Sequence, residues 1–454
     1  MRIEWLLLAA ACAPDRPSRT DPIDPAPTES PPSELTEIGS VDVAHDVDAW
    51  IYGGVDNAII EVPRLGRTAF AFEPREGSVA LWVQVERTGP EGTWWDWLGF
   101  DALSAGPNDL TAATAEITGF LPVIGVDLPG AHEVMPAGDV DGDGEPDVLL
   151  FHGAGVALAS GPLEGSRVSV ANAPLVVDLP TDPASVTSVD QDRAGLRDLD
   201  HDGVAELVIT HLGANGFEVL GFYAPFSSVR TAADADFTWT IPSPEPPDPW
   251  WLGLPSALGD VTGDGVSDWY VPVGVGQSLS PEGGVVLDGG VRWAGTIDVA
   301  TQRVAVLYGY PGVPVPVGDQ DRDGHDDLVV VASGAVVFAS GAALTGVVPL
   351  EEWIAEPLAW VEGDSFGEAT AALGDVNGDG FDDVLVGTID HGNEALRGGI
   401  SGPVDLEDAR LWRYSGLLSP GALPGFLEAG GGIDVVQAVD GGLAIDWDAD
   451  GTFP

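Results

Sequence analysis

No lysine occurs in the 454 residues; all 17 basic residues are arginine, set against 73 acids, for a formal net charge of −56. Without a basic stripe the chain has nothing to release counterions from phosphate, which excludes nucleic acid and bare anionic membrane as partners. Such a charge attracts divalent cations instead. Cysteine occurs once, so no disulfide can form within the chain. With no second thiol and no pair of histidines four residues apart, nothing in the sequence points to a zinc site. Nor is there an apolar run long enough to cross a bilayer. Hydrophobic residues nevertheless make up 44%, enough to build a core, while 61 glycines and 37 prolines fit an all-β chain with many turns.

The single cysteine is placed informatively. The chain opens MRIEWLLLAAAC, which resembles a short bacterial lipoprotein signal, with Ala9-Ala10-Ala11-Cys12 as its lipobox. The resemblance implies cleavage before Cys12, lipidation there, and anchorage to the cell envelope, at the outer membrane or cell surface. A plain export signal and an incidental cysteine are the alternatives. Residues 13–38, rich in Pro, Ser, Thr and Asp, read as an extended tether. The remaining 39–454 form the folded part, and membrane contact is expected only through the lipid.

The strongest signal is a repeat. GDVDGDGEPDVLLF begins at 138, RDLDHDGVAELVIT at 197, GDVTGDGVSDWYVP at 259, GDQDRDGHDDLVVV at 318 and GDVNGDGFDDVLVG at 374; the first acids are spaced by 59, 62, 59 and 56 residues. Oxygen-bearing side chains recur at loop positions 1, 3, 5 and 9, with glycine at position 6. The sets are Asp139, Asp141, Asp143 and Asp147; Asp198, Asp200, Asp202 and Glu206; Asp260, Thr262, Asp264 and Asp268; Asp319, Asp321, Asp323 and Asp327; and Asp375, Asn377, Asp379 and Asp383. A partial sixth copy carries Asp446, Asp448 and Asp450. Carboxylates this close repel unless neutralised. Ca²⁺ takes six to eight oxygens in irregular geometry, so about five structural calcium ions are expected. The EF-hand shares the opening but needs Glu at position 12 and a helix after it. Position 12 here is Leu150, Ile209, Val271, Val330 or Val386, each within an apolar run that reads as a buried strand.

Four short strands per 60 residues or so is the pattern of a propeller blade. At FGEATAALGDVNGDGFDDVLVG, residues 366–387, the chain resembles the FG-GAP/VCBS repeat of integrin alpha subunits and of many bacterial surface proteins. That resemblance implies a seven-bladed β-propeller with calcium between the first and second strands of a blade; six or eight blades are alternatives. Residues 68–120 can supply a blade without a calcium loop, its third strand at ALSAGP, 102–107. The segment DAWIYGG, 48–54, looks like the strand missing after the last loop, so the two ends of the chain are expected to pair and close the ring.

GDSFG at 363–367 matches the spacing of a nucleophile elbow but opens a strand rather than a strand–turn–helix. His201 and His325 fall inside the loops and are expected to face water. Trp94, Trp95, Trp97, Trp250 and Trp251 sit in two clusters expected to be connections on the face opposite the loops, where they would stack on a sugar, anchor a protein, or pack between blades. The leading functional reading is a surface-anchored binding or adhesion module, not an enzyme, for a protein or glycan ligand. A propeller hydrolase or lyase working through paired carboxylates, and a purely structural surface component, are the alternatives.

Overall fold

The computed structural model describes short strands and turns between residues 39 and 120, most of 134–415, and the strands Gly425–Ala429, Gly432–Val439 and Gly442–Asp446. Segments such as 1–38, 121–133, 179–193, 242–249 and 276–282 are outside the described residues. The expected signal, lipobox Cys12 and tether therefore fall outside, as does Asp139. Among the described residues no helix is long and apolar enough to cross a membrane.

The described strands form seven sheets. The fourth shows the plan. Its inner strand is interrupted, Trp250–Leu252 then Ser256–Gly259. Asp268–Val275, Gly283–Leu287 and Arg303–Tyr308 come next, in antiparallel order. A fifth strand, Gly346–Pro349, belongs to the next repeat and runs parallel to the outermost one. The same hand-over recurs around the molecule. Ala115–Phe120 takes Arg167–Ser169, Leu175–Asp178 takes Arg230–Thr231, and Phe237–Thr240 takes Gly295–Asp298. Ala359–Glu362 takes Gly402–Asp405, Arg410–Ser415 takes Gly39–Asp42, and Ala49–Tyr52 takes Gly106–Asp109. The last pairing returns to the first sheet, so the series is cyclic. The architecture is an all-β propeller, and the borrowed strand covers an outer edge that would otherwise be open to aggregation.

Closure comes from the N-terminal segment. Ala49–Tyr52 pairs antiparallel with Gly442–Asp446 as the fourth strand of the seventh sheet, while Gly39–Asp42 edges the sixth. The expected pairing of the two ends is present, but its partner lies before the Asp446 loop. Asp446 ends the third strand of its sheet, and that sheet's first and second strands are joined by a tight hairpin between Ala429 and Gly432. The sixth acidic copy is therefore not placed like the other five; Asp448 and Asp450 are outside the described residues. A second correction concerns the first sheet. Its third strand is Gly92–Phe100, the tryptophan-rich segment, and Gly106–Asp109 is the strand lent to the seventh sheet.

Apolar side chains fill the space between neighbouring sheets. Trp97 and Ile117 of the first pack with Val148 and Leu150 of the second. Trp239 and Phe237 of the third pack with Val271 and Leu287 of the fourth, and Val329 and Phe338 of the fifth with Val384 and Val386 of the sixth. Burying each such side chain stabilises by about 1.5–3 kcal/mol. The five position-12 residues, Leu150, Ile209, Val271, Val330 and Val386, are all fully buried in second strands. No helix comes after any of the five loops, which removes the EF-hand alternative.

Candidate functional site

Each acidic loop joins the first strand of a sheet to the second, at one end of the ring. The acids first serve the loop's own backbone. The position-1 carboxylate accepts from the N–H groups at positions 5 and 6: Asp323 and Gly324 donate to Asp319 at 3.0 and 2.9 Å, and Asp379 and Gly380 to Asp375 at 2.9 and 2.8 Å. The position-5 carboxylate accepts from position 7, as Val204 N–H does to Asp202 and His325 N–H to Asp323, both at 2.9 Å. The turn needs left-handed backbone at position 6, where Gly265, Gly324 and Gly380 have φ of 89°, 91° and 86°. Position 4 is left-handed as well, and there His201 and Arg322 adopt φ of 56° and 62°. For non-glycine residues that is a strained conformation, held by surrounding contacts.

Position 9 plays a different part. Asp147, Glu206, Asp268, Asp327 and Asp383 are each at most 1% exposed. In the second and fifth sheets one oxygen accepts from the loop, Val140 N–H to Asp147 at 3.0 Å and Gln320 N–H to Asp327 at 2.8 Å. The other accepts from the glycine after the third strand: Gly161 to Asp147, Gly289 to Asp268, Gly341 to Asp327 and Gly398 to Asp383, at 2.8–3.1 Å. One carboxylate thus staples two turns together. Sequence reasoning placed these acids among the ion ligands but missed this bond. Burial pushes these carboxyls up: Asp147 rises, Asp268 and Asp327 reach about 6, and Glu206 about 7. Like-charged neighbours add to the effect, with Asp200 and Asp198 acting on Glu206.

In three loops the oxygens of three acids converge within 4.8 Å of one another: Asp141, Asp143 and Asp147; Asp198, Asp200 and Glu206; Asp319, Asp321 and Asp327. In the other two, position 3 is Thr262 or Asn377, which offers an uncharged oxygen. Asn377 Oδ1 accepts from Asp379 N–H at 2.8 Å while its amide donates to Asp383 at 3.1 Å. Hydrogen bonds do not use up every oxygen. Asp200 has a side chain only 5% exposed, and its Oδ1 is buried without a partner. An orphaned carboxylate oxygen costs on the order of 1–3 kcal/mol or more, and it is the kind of donor a hard divalent cation takes.

The loops touch one another around the ring, and here the two histidines depart from expectation. His201 Nε2 lies 3.0 Å from the Ser267 carbonyl and its ring stacks on Trp269 at 5.9 Å. His325 Nδ1 lies 2.9 Å from the Val261 carbonyl. Neither simply faces water; each fastens its loop to that of the next or preceding sheet. Arg322 sits over the Phe381 ring at 4.7 Å in the same manner.

The tryptophans also differ from expectation. Both clusters lie in strands rather than connections, Trp94, Trp95 and Trp97 in Gly92–Phe100 and Trp250 and Trp251 in Trp250–Leu252. Trp97 is 3% and Trp251 4% exposed. Trp97 belongs to the core between the first two sheets, and the Trp251 indole lies over Gly274, where no side chain intervenes. Both are packing residues, and neither presents a face to a ligand. Trp94 and Trp95 stand near the Gly89–Gly92 turn, at the end of their sheet away from the first-to-second connection. Of the GDSFG pentapeptide, Phe366 opens a strand and 363–365 are outside the described residues.

Comparison with known proteins agrees with the loop geometry. Residues 366–391 match the FG-GAP repeat. Integrin alpha-PS2 of Drosophila melanogaster is 28% identical over 190 residues, 36% of this chain and 13% of that protein. Integrin alpha pat-2 of Caenorhabditis elegans is 30% identical over 158 residues, 30% of this chain and 12% of that protein. The chain therefore matches only a small part of either relative's length. Among solved structures, an Agrocybe aegerita lectin recognising non-reducing terminal N-acetylglucosamine aligns with a TM-score of 0.42 at 16% identity, covering 85% of this chain and 87% of the lectin.

Proposed function

We propose that this integrin-alpha-like FG-GAP repeat protein is a calcium-stabilised binding or adhesion module, each of its seven sheets a blade. Its loops secure the wheel, and a protein ligand is engaged on the opposite face. The observation that carries the calcium reading is the convergence of three acids within 4.8 Å in three separate loops, one of them holding the partnerless Asp200 Oδ1. The donor set fits a hard cation, being all oxygen. Positions 1, 3, 5 and 9 of each loop are the ligands: Asp139, Asp141, Asp143 and Asp147 in the first, and the corresponding residues through Asp383 in the last. A bound calcium ion would cancel the repulsion among these carboxylates and tie the first strand of a blade to the second.

Adhesion rather than turnover follows from the likeness to integrin alpha subunits, and the opposite face is the one left to take a partner. Trp94, Trp95 and Trp250 are the aromatic candidates there. Lipidation at Cys12 would hold the wheel at a bacterial surface by its tether. The test is thermal unfolding of the purified chain in calcium and in chelator. With Kd on the order of 10⁻⁴ M, 1 mM calcium is expected to add about 1.4 kcal/mol per site and raise the midpoint by several degrees. Midpoints that coincide would remove the calcium reading. Binding to immobilised surface proteins, lost on chelation, tests the adhesive role separately.

A further inference from the structure

The loop from Asp198 to Glu206 has an arginine of the next sheet beside it. Arg292, from the turn after the third strand of the fourth sheet, reaches across to the preceding sheet. Its Nη1 lies 2.5 Å from Asp200 Oδ2 and 3.3 Å from Asp202 Oδ2. The guanidinium is held over the Tyr223 ring at 3.9 Å, and Tyr223 Oη donates to the Trp293 carbonyl at 3.0 Å, so the arginine is aimed before any ion arrives. Arg292 stands three residues after Gly289, the glycine that donates to the position-9 acid. Three residues after the equivalent glycines Gly161, Gly341 and Gly398 stand Glu164, Leu344 and Ser401. No cation occupies that place in those turns. Yet the loop keeps the makings of a metal site: oxygens of Asp198, Asp200 and Glu206 converge, and the buried Asp200 Oδ1 has no partner.

We infer that Arg292 is a tethered counter-cation that competes with divalent ions at the 198–206 loop. This makes that loop the weakest calcium site and the one that holds its shape without metal. The inference rests on the calcium reading of the loops. Arg292 takes the outer oxygens of positions 3 and 5 and leaves Asp200 Oδ1 inward. A divalent ion entering there meets a set already partly neutralised, and its attraction is weakened accordingly. In the turns beside the 260–268 and 319–327 loops the same place holds Leu344 and Ser401, which carry no charge. Removing the ion should loosen those loops, while 198–206 keeps the N–H bonds of Asp202 and Val204.

The full chain, its Arg292→Gln variant and its Arg292→Lys variant are compared by calcium titration calorimetry and by hydrogen exchange with mass spectrometry, in calcium and in chelator. In the parent, exchange in the loops at 260–268, 319–327 and 375–383 is expected to speed up on chelation, while 198–206 stays protected. In Arg292→Gln the 198–206 loop should lose that protection in chelator and regain it with calcium, and its affinity should tighten about fivefold. Arg292→Lys, which keeps the charge, should stay close to the parent. If the other loops respond to calcium and Arg292→Gln behaves as the parent, or binds more weakly, the competing role is overturned and the calcium reading stands. If no loop of any variant responds to calcium, the calcium reading itself falls.

Discussion

Asp326 grips the backbone of Asp260 at two points. The Asp260 N–H donates to Asp326 Oδ2 at 2.7 Å, and the Asp326 N–H donates to the Asp260 carbonyl at 2.8 Å. One residue is position 8 of the fifth sheet's loop and the other position 1 of the fourth's, so two loops 66 residues apart are joined as one element. Asp326→Ala leaves the half-buried Asp260 N–H without its acceptor and is expected to destabilise by about 1–2 kcal/mol in urea unfolding. Gly259→Ala should cost at least as much, since φ there is +72° and the new methyl would collide with the Asp326 carboxylate.

Acidity should stabilise the calcium-free protein through Glu206. Its folded pKa of about 7 lies above the ordinary 4.5. Between those values the folded state binds the proton more tightly than the unfolded one. The contribution is fully present below about pH 4.5 and is lost as pH rises through about 7. Urea midpoints in chelator are therefore expected to fall from about pH 5 to about pH 7.5. Glu206→Gln should flatten that slope, and a slope that survives the substitution assigns it elsewhere.

Arg410 and Glu394 form a buried pair in the sixth sheet. Arg410 Nε donates to Glu394 Oε2 at 2.6 Å, with the glutamate 1% exposed. Arg410→Ala removes the charged partner of a buried carboxylate and should cost about 3–5 kcal/mol. The double change Arg410→Met with Glu394→Leu should recover most of the loss, which a double-mutant cycle in denaturant would show.

Deleting the chain through residue 52 removes one strand from each of two sheets. The truncated protein is expected to self-associate in light scattering and to lose its sharp unfolding transition, because Arg410–Ser415, Gly442–Asp446 and Gly106–Asp109 each lose a strand partner at once. A monomer with an unchanged transition would show that closure contributes nothing.

Much of this was legible in residue order. The recurring acids located five loops, the apolar position 12 marked a buried strand after each of them, and AWIY at 49–52 announced the closing strand because the last acidic copy had no strand after it. The borrowed strands were not legible. Arg230–Thr231 is two residues long, and neither its polarity nor any period marks it as a strand; only its partner Leu175–Asp178 makes it one. Clustered tryptophans left a ligand surface and packing between blades both open, because exposure cannot be read from hydrophobicity alone. Trp251 is buried by a glycine on the adjacent strand, a relation visible only once the register is known. Arg292 went unnoticed for a related reason. Its carboxylate partners lie about 90 residues away in sequence, on a different sheet.

Because every sheet takes its outermost strand from the repeat after it, the unit that could be duplicated or lost without damage is not a sheet. A cut that respects the hydrogen bonding falls between the third and fourth strands, where the N- and C-terminal strands of this chain already meet. Seven such places exist, all equivalent in connectivity. Joining the present termini and reopening the chain at any other of them should yield a permuted protein with the same set of pairings, and a family built this way can change its number of repeats only in steps offset from the sheets themselves.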